Sequence, residues 1–199
     1  MDNPLRYQMT EYDCGPTSML NAVSYLFRRD EIPPELTRNI MLYCLDCFGE
    51  DGSTGRRGTS RMAMMFLSNW LNGYGESRYL SGREVNFSQN GPLRDALRRG
   101  GAAVVRLDLE GWHYVLLTRV EGGDVYLFDP YYHEGPFDNA ELRVTDEHPC
   151  SYNRIVPVHY FEREEISVYS LGPFDTREAI LLFNTDTELT EDKTVEYFI

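Results

Sequence analysis

The stretch that decides the fold is QMTEYDCGPTSMLNAVSYLF, residues 8–27, and its centre is DCGPTS, residues 13–18. Apolar residues follow Cys14 at intervals of three and four, which is typical of a helix with one buried face. Pro16 is predicted as the first helical residue, because a proline lacks the N–H that has no partner there. Cys14 is therefore predicted at the mouth of a helix N-terminus, where unpaired N–H groups and the helix dipole favour an anion. That position favours the thiolate, which is the nucleophilic form of cysteine.

Three further side chains stand where a cysteine nucleophile could use them. Gln8, six residues upstream, can bring a side-chain amide to an oxyanion beside the backbone N–H of Cys14. His113 opens one apolar strand, and Asp129 ends the next one after the Gly122-Gly123 turn. Strands joined by a tight turn pair antiparallel, so His113 and Asp129 are predicted at the same end of a hairpin. The carboxylate can then bond one ring nitrogen and aim the other at Cys14.

Taken in this order, Gln8, the DCGPTS run, His113 and the Asp129-Pro130 pair resemble the double-glycine leader peptidases. These are papain-like cysteine peptidases that trim bacteriocin precursors, with many free-standing relatives. The resemblance covers roughly residues 7–131, about two-thirds of the chain. It implies a triad of Cys14, His113 and Asp129, with Gln8 in the oxyanion hole and a papain-like fold. We expect no cofactor.

Length and composition fit one large domain. The 199 residues are 42% hydrophobic and 13% aromatic, which is ample for a core. Helical patterns come first and strand patterns afterwards, which predicts an α+β fold with an N-terminal helical half packed on a C-terminal antiparallel sheet. We expect residues 1–135 to form the papain-like core and residues 136–199 to form a β-rich elaboration of the same domain.

Charge and hydrophobicity restrict the partners. With 19 basic and 32 acidic residues, the net charge is −13, which argues against nucleic acid and anionic membranes. No apolar run approaches the ~20 residues needed to cross a bilayer, and the first residues lack the apolar core of a secretion signal. We therefore expect a peptide or protein substrate, no nucleic-acid or membrane partner, and a cytoplasmic location.

Several further elements are predicted along the chain. A second helix begins near Pro33-Pro34, a third spans residues 61–71 behind the N-cap Ser60, and a short one spans residues 92–99. The predicted core side of the third helix consists of Met62, Met65, Phe66 and Trp70. Strands are predicted at residues 103–107, 154–160, 166–171 and 179–183. Residues 185–193 are predicted to form a surface turn or a loose tail.

Each singled-out residue has a purely structural alternative. Cys14 could be a buried structural cysteine, and Trp112 could pack in the core rather than shape a substrate groove. His133 is the reserve candidate should His113 not reach the site. The spacing of Cys44 and Cys47 suits half a zinc site or a redox motif, which His148 and Cys150 could complete. We expect no metal there, because free cysteine is usually a small buried hydrophobe.

Three functions share the same four residues Gln8, Cys14, His113 and Asp129. The first is a peptidase that hydrolyses a peptide bond through an acyl-thioester. The second is an acyltransferase or deamidase that uses the same thioester and ends on another nucleophile. The third is a peptide-binding module that has the groove but no catalysis. The peptidase is the favoured hypothesis, because a module without catalysis has no chemical need for all four side chains.

Overall fold

A seven-stranded antiparallel sheet runs through the protein and takes strands from both halves of the chain. The computed structural model describes residues 3–109 and 111–184. The strands are β1 (Glu76–Ser81), β2 (Ala102–Asp108), β3 (Trp112–Glu121), β4 (Asp124–Phe128), β5 (Arg143–Val144), β6 (Arg154–Pro157) and β7 (Glu178–Phe183). Their spatial order is β1-β7-β2-β3-β4-β6-β5, and every neighbouring pair is antiparallel.

Helices cover both faces of this sheet. They are α1 (Cys14–Leu26), α2 (Pro34–Tyr43), α3 (Arg61–Leu71), α4 (Pro92–Arg98) and α5 (Val158–Phe161). The first three share one core with the sheet, around the fully buried Met19, Ile40 and Leu67. The other core lies on the opposite face and includes Leu93 of α4 and Phe161 of α5. The predicted α+β fold, with an N-terminal helical half against an antiparallel sheet, is confirmed.

The described residues contain no helix that combines the length and the apolar character needed to cross a bilayer.

The first helix starts earlier than the prediction that placed Pro16 at its first position. Cys14 is the first residue of α1, and the N–H of Thr17 donates to the carbonyl of Asp13 at 3.0 Å. Pro16 lies within the first turn, where its missing N–H costs no intrahelical bond. The helix therefore includes the cysteine itself.

The bounds of α3 agree with the prediction, but its predicted core side is wrong. The Ser60 hydroxyl caps the helix by accepting from the N–H of Ala63 at 3.1 Å. Met62 is 73% exposed, and Met65 and Phe66 are also exposed. The buried side instead consists of Ala63, Met64, Leu67, Ser68 and Leu71. Because α3 is apolar on two sides, hydrophobicity alone does not choose between them.

The C-terminal strands also differ in part from expectation. The predicted strand at 179–183 is confirmed as β7, which lies between β1 and β2, next to the edge strand β1. The strand predicted at 154–160 ends as β6 at Pro157 and continues as α5. The strand predicted at 166–171 is wrong: the N–H of Ser170 donates to the carbonyl of Ser167 at 2.8 Å, which closes a turn. The tail predicted at 185–193 lies outside the described residues.

Candidate active site

Cys14 lies at the floor of a cleft, at the N-terminus of α1. Its side chain is 8% exposed. The N–H groups of Cys14 and Gly15, which precede the first intrahelical hydrogen bond, are available to an anion near the thiol. A side chain at Gly15 is excluded, because an added Cβ would lie 2.6 Å from Thr59 Oγ1. Glycine therefore lets the loop that carries Thr59 close over the start of the helix.

A buried aspartate holds the loop in front of Cys14. The Asp13 carboxylate accepts hydrogen bonds from the N–H of Met9 at 3.0 Å and of Thr10 at 2.6 Å. Burial alone would raise the pKa of Asp13, but the hydrogen bonds from Thr10 and Met9 outweigh it and lower that pKa. Asp13 thus fixes the loop as an anion.

Gln8 stands at the beginning of this loop and lines the same cleft as His113. Its backbone N–H donates to the carbonyl of Pro130 at 2.9 Å, which ties the loop to the residue after Asp129. In the side chain, Nε2 donates to the Thr10 carbonyl at 2.8 Å. The buried Oε1 has no hydrogen-bond partner among the described residues. One N–H of the Gln8 amide therefore remains for another acceptor.

The imidazole of His113 connects the two halves of the site. His113 Nε2 lies 2.8 Å from Asp129 Oδ1, and the ring lies close enough to the Cys14 thiol to interact with it electrostatically. Since Asp129 occupies Nε2, Nδ1 is the ring nitrogen that faces the thiol. His113 is 8% exposed. Burial lowers its pKa, but the hydrogen bond and charge of Asp129, followed by those of Cys14, outweigh burial and raise the pKa of His113 to about 10.

Sheet geometry explains the contact between His113 and Asp129. In the β3–β4 pair, Leu116 lies opposite Phe128. Asp129 follows Phe128 directly, so it reaches the end of the hairpin where β3 begins. The structure thus brings together the pair that the hairpin argument predicted.

Asp129 is held by residues that sequence reasoning missed. Its carboxylate, 1% exposed, accepts from the hydroxyl of Tyr169 at 3.0 Å and from the N–H of Tyr131 at 2.9 Å. The Asn153 side chain makes two hydrogen bonds to the backbone of Asp129: it accepts from the N–H and donates to the carbonyl, both at 2.8 Å. Tyr169 has a left-handed backbone with φ of 59°, which is uncommon for a bulky residue.

A buried arginine supports the same network. Arg154 is 2% exposed and donates to the carbonyls of Asn153 at 2.9 Å and Tyr131 at 3.3 Å. Its charge also acts on the hydroxyl of Tyr169 and opposes the rise that burial causes in the pKa of that group. Its positive charge therefore lies beside the buried Asp129 group. The sequence carries only a weak sign of this arginine. Asn153 and Arg154 stand at the start of a predicted strand, and a charged residue in a strand beside a site needs a partner of opposite charge or a hydrogen-bond acceptor.

Trp112 lines two clefts, one on the His113 side of the site and one on the Cys14 side. The first, the His113 cleft, has a volume of about 770 Å³ and is lined by Gln8, His113, Asp129 and Tyr131, among others. The second, the Cys14 cleft, has about 590 Å³ and is lined by Cys14, Ser60, Arg61 and Arg106, among others. Trp112 is 41% exposed and belongs to the wall of both clefts.

The remaining histidine and cysteine candidates have no described contact with the Cys14, His113 and Asp129 side chains that would make them part of the triad. His133 lines the His113 cleft but stacks on Phe137, with ring centroids 4.3 Å apart. Cys44 is buried, and burial raises the pKa of its thiol to about 12. Burial and the Asp46 carboxylate raise the pKa of Cys47. Among the described residues, no three side chains of the metal-binding types cluster together.

Comparison with known proteins gives a similarity at the level of overall shape. No protein-family model matches the chain, and no curated protein matches it. Among solved structures, it is similar to a double glycine motif protease from an AMS/PCAT transporter, solved in complex with the leader peptide. The two are 15% identical, the similarity covers 91% of each chain, and the TM-score is 0.49. The function of this chain is thus to be inferred from its own side chains.

Proposed function

We propose that the protein is a papain-like cysteine peptidase that hydrolyses a peptide bond. One observation carries the proposal: a single imidazole, that of His113, hydrogen-bonds to a buried carboxylate and interacts electrostatically with a cysteine that begins a helix. Nucleophile, base and orienting acid are the three parts of a catalytic triad, and they are recognised by geometry rather than by sequence order.

The steps follow from the positions of the four groups. The Cys14 thiolate attacks the substrate carbonyl, and the resulting oxyanion receives hydrogen bonds from the Cys14 N–H and the free N–H of Gln8. His113 then gives its proton to the leaving amine, which releases the first product. Water, deprotonated by His113, hydrolyses the remaining thioester. Asp129 keeps the ring aimed at sulfur throughout.

The raised pKa of His113 suits this sequence. A pKa of about 10 means that the ring is protonated at neutral pH. The imidazolium stabilises the thiolate beside it and is ready to act as the acid when the amine leaves.

The shape of the site favours an extended polymer as substrate. The His113 cleft and the Cys14 cleft lie on either side of Trp112, so a chain crossing the reactive sulfur has a groove in both directions. A peptide fits this arrangement, and Trp112 then contacts the residues next to the scissile bond. The cytoplasmic location expected from the sequence belongs to the same proposal.

Covalent labelling tests the proposal directly. Iodoacetamide at mildly acid pH should alkylate Cys14 faster than Cys47 or Cys150, which are less buried and serve as internal controls. A Cys14→Ala variant should lose both this labelling and all turnover of a peptide library. Equal alkylation of the three cysteines would overturn the assignment. Product analysis with an added amine then separates hydrolysis from acyl transfer.

A further inference from the structure

The Cys14 cleft is positively charged in a protein of net charge −13. Three arginines line it: Arg57, Arg61 and Arg106. Among the described residues that line it, Glu11, which is exposed, is the acidic one. Arg57 is exposed and lies 2.7 Å from Glu50, so its charge is largely compensated at the surface. The charge of the cleft floor is therefore set by Arg61 and Arg106.

One buried carboxylate lies beneath these two arginines. Glu178 is 1% exposed, and its oxygens lie 3.2 Å from Arg106 Nε and 3.6 Å from Arg61 Nε. The hydroxyls of Tyr114 and Tyr79 donate to the same carboxylate at 2.6 and 2.7 Å. One negative charge faces two guanidinium groups, so these three groups together leave one positive charge uncompensated. A single arginine would have been enough to balance Glu178.

Both arginines are held in place. Arg106 lies under the Trp112 ring, 4.6 Å from the ring centroid, and donates to the Thr176 carbonyl. Arg61 extends from the first turn of α3, donates to the Asp175 carbonyl at 3.1 Å and is 40% exposed in its side chain. Fixed guanidinium groups lose little conformational entropy when they bind an anion.

We propose that Arg61 and Arg106 form a subsite for a carboxylate of the peptide substrate. The carboxylate is either an aspartate or glutamate side chain near the scissile bond or the free C-terminus of a short peptide. This inference rests on the proposed peptidase function and names the substrate class of that site. It assigns the third helix and β2 a part in specificity, next to the sulfur but separate from the triad.

Alkylation by reagents of different charge tests the subsite without a known substrate. Iodoacetate carries a carboxylate, whereas iodoacetamide is neutral and of similar size. The rate ratio of iodoacetate to iodoacetamide at Cys14 should fall about tenfold in Arg61→Gln, because the uncompensated charge is lost. Arg106 still balances Glu178 in that variant, so the fold is expected to persist. The charge of His113 is the same in wild type and in Arg61→Gln, so it does not alter the comparison of their rate ratios.

A matched control has the same substitution outside the cleft. Arg78 of β1 is 60% exposed in its side chain and lies 3.7 Å from Glu84. Arg78→Gln removes the same charge from the protein but should leave the ratio unchanged. An equal ratio in wild type, Arg61→Gln and Arg78→Gln would overturn the carboxylate subsite while leaving the peptidase intact. If neither iodoacetate nor iodoacetamide alkylates Cys14, both the peptidase proposal and the subsite proposal are overturned.

Peptides then distinguish the two sources of carboxylate. A library is compared with its Glu→Gln counterpart, and each peptide is made with a C-terminal acid and a C-terminal amide. A preference of about tenfold in kcat/KM for Glu peptides, lost in Arg61→Gln, identifies a side chain; the same preference for the acid form identifies the C-terminus. Either preference should weaken as salt is added. Equal kcat/KM for all four forms would contradict the proposal.

Discussion

The His113 cleft has a buried side and an open side, and the two are built differently. The buried side is the Asp129 carboxylate, which accepts from His113, Tyr131 and Tyr169. The open side is the half-buried Gln8, whose amide makes one described hydrogen bond and whose Oε1 has no partner among the described residues. The protein therefore fixes the direction of the imidazole through Asp129 and leaves hydrogen-bonding capacity free at Gln8.

The largest effect is expected when the buried side is changed. Asp129→Asn should lower kcat/KM by roughly 10²- to 10⁴-fold. An amide at this position favours the wrong tautomer of the His113 ring and does not stabilise the protonated ring. Peptide hydrolysis at neutral pH measures this, with the melting temperature as a check on folding. A loss of threefold or less would mean that Asp129 does not orient His113.

A smaller effect is expected on the open side. Gln8→Ala should lower kcat by about 10²–10³-fold through the loss of one oxyanion donor. Its free energy of unfolding should stay within about 0.5 kcal/mol of wild type, because the Gln8 side chain makes little contact that the fold needs. Gln89→Ala, an exposed glutamine before α4, is the control. Equal kcat in both variants would remove Gln8 from the oxyanion hole.

Tyr169 should contribute less to kcat than Asp129, because it acts on His113 only through its hydrogen bond to Asp129. Tyr169→Phe should lower kcat about tenfold with KM unchanged, and should destabilise the fold by about 1 kcal/mol through one lost buried hydrogen bond. The matched control is Tyr160→Phe, which removes a buried hydroxyl that donates to Glu141 far from the site. If both variants lose stability and neither loses kcat, Tyr169 is only structural.

The last prediction concerns stability and its dependence on pH. The pKa of His113 is raised in the folded state, so its contribution to stability is complete below about pH 6.5 and declines as pH rises toward about 10. We expect the stability difference between Cys14→Ala and the double variant Cys14→Ala/His113→Gln to shrink over that range. The Cys14→Ala background removes the titration of the thiol.

Urea titrations at pH 6, 8 and 9.5 would measure this difference. A constant value over that range would show that His113 keeps an ordinary pKa and that Asp129 does not stabilise its charge.

Local patterns in the sequence predicted the parts of the site that depend on local rules. The start of a helix near Cys14, the cap at Ser60 and the hairpin that joins His113 to Asp129 each follow from a short stretch of chain. The roles of these residues in catalysis stay predictions, as do the division at residue 135 and the cytoplasmic location.

The remaining parts depend on contacts between distant residues. Tyr169 lies 40 positions from Asp129, and Glu178 lies 64 positions from Tyr114. A buried tyrosine or glutamate carries no local sign of its partner, so neither contact could be read from the chain. The same reason explains the error on α3, where the side that faces β1 is chosen by packing and not by hydrophobicity.

The position of β7 has a consequence for cooperativity. The strand fills the gap between β1 and β2 and brings Glu178 beneath Arg61 and Arg106. Without residues 178–183, β1 and β2 have no common neighbour and the two arginines face each other without that carboxylate. The last described strand should therefore complete the sheet and the charge balance of the Cys14 cleft in one step.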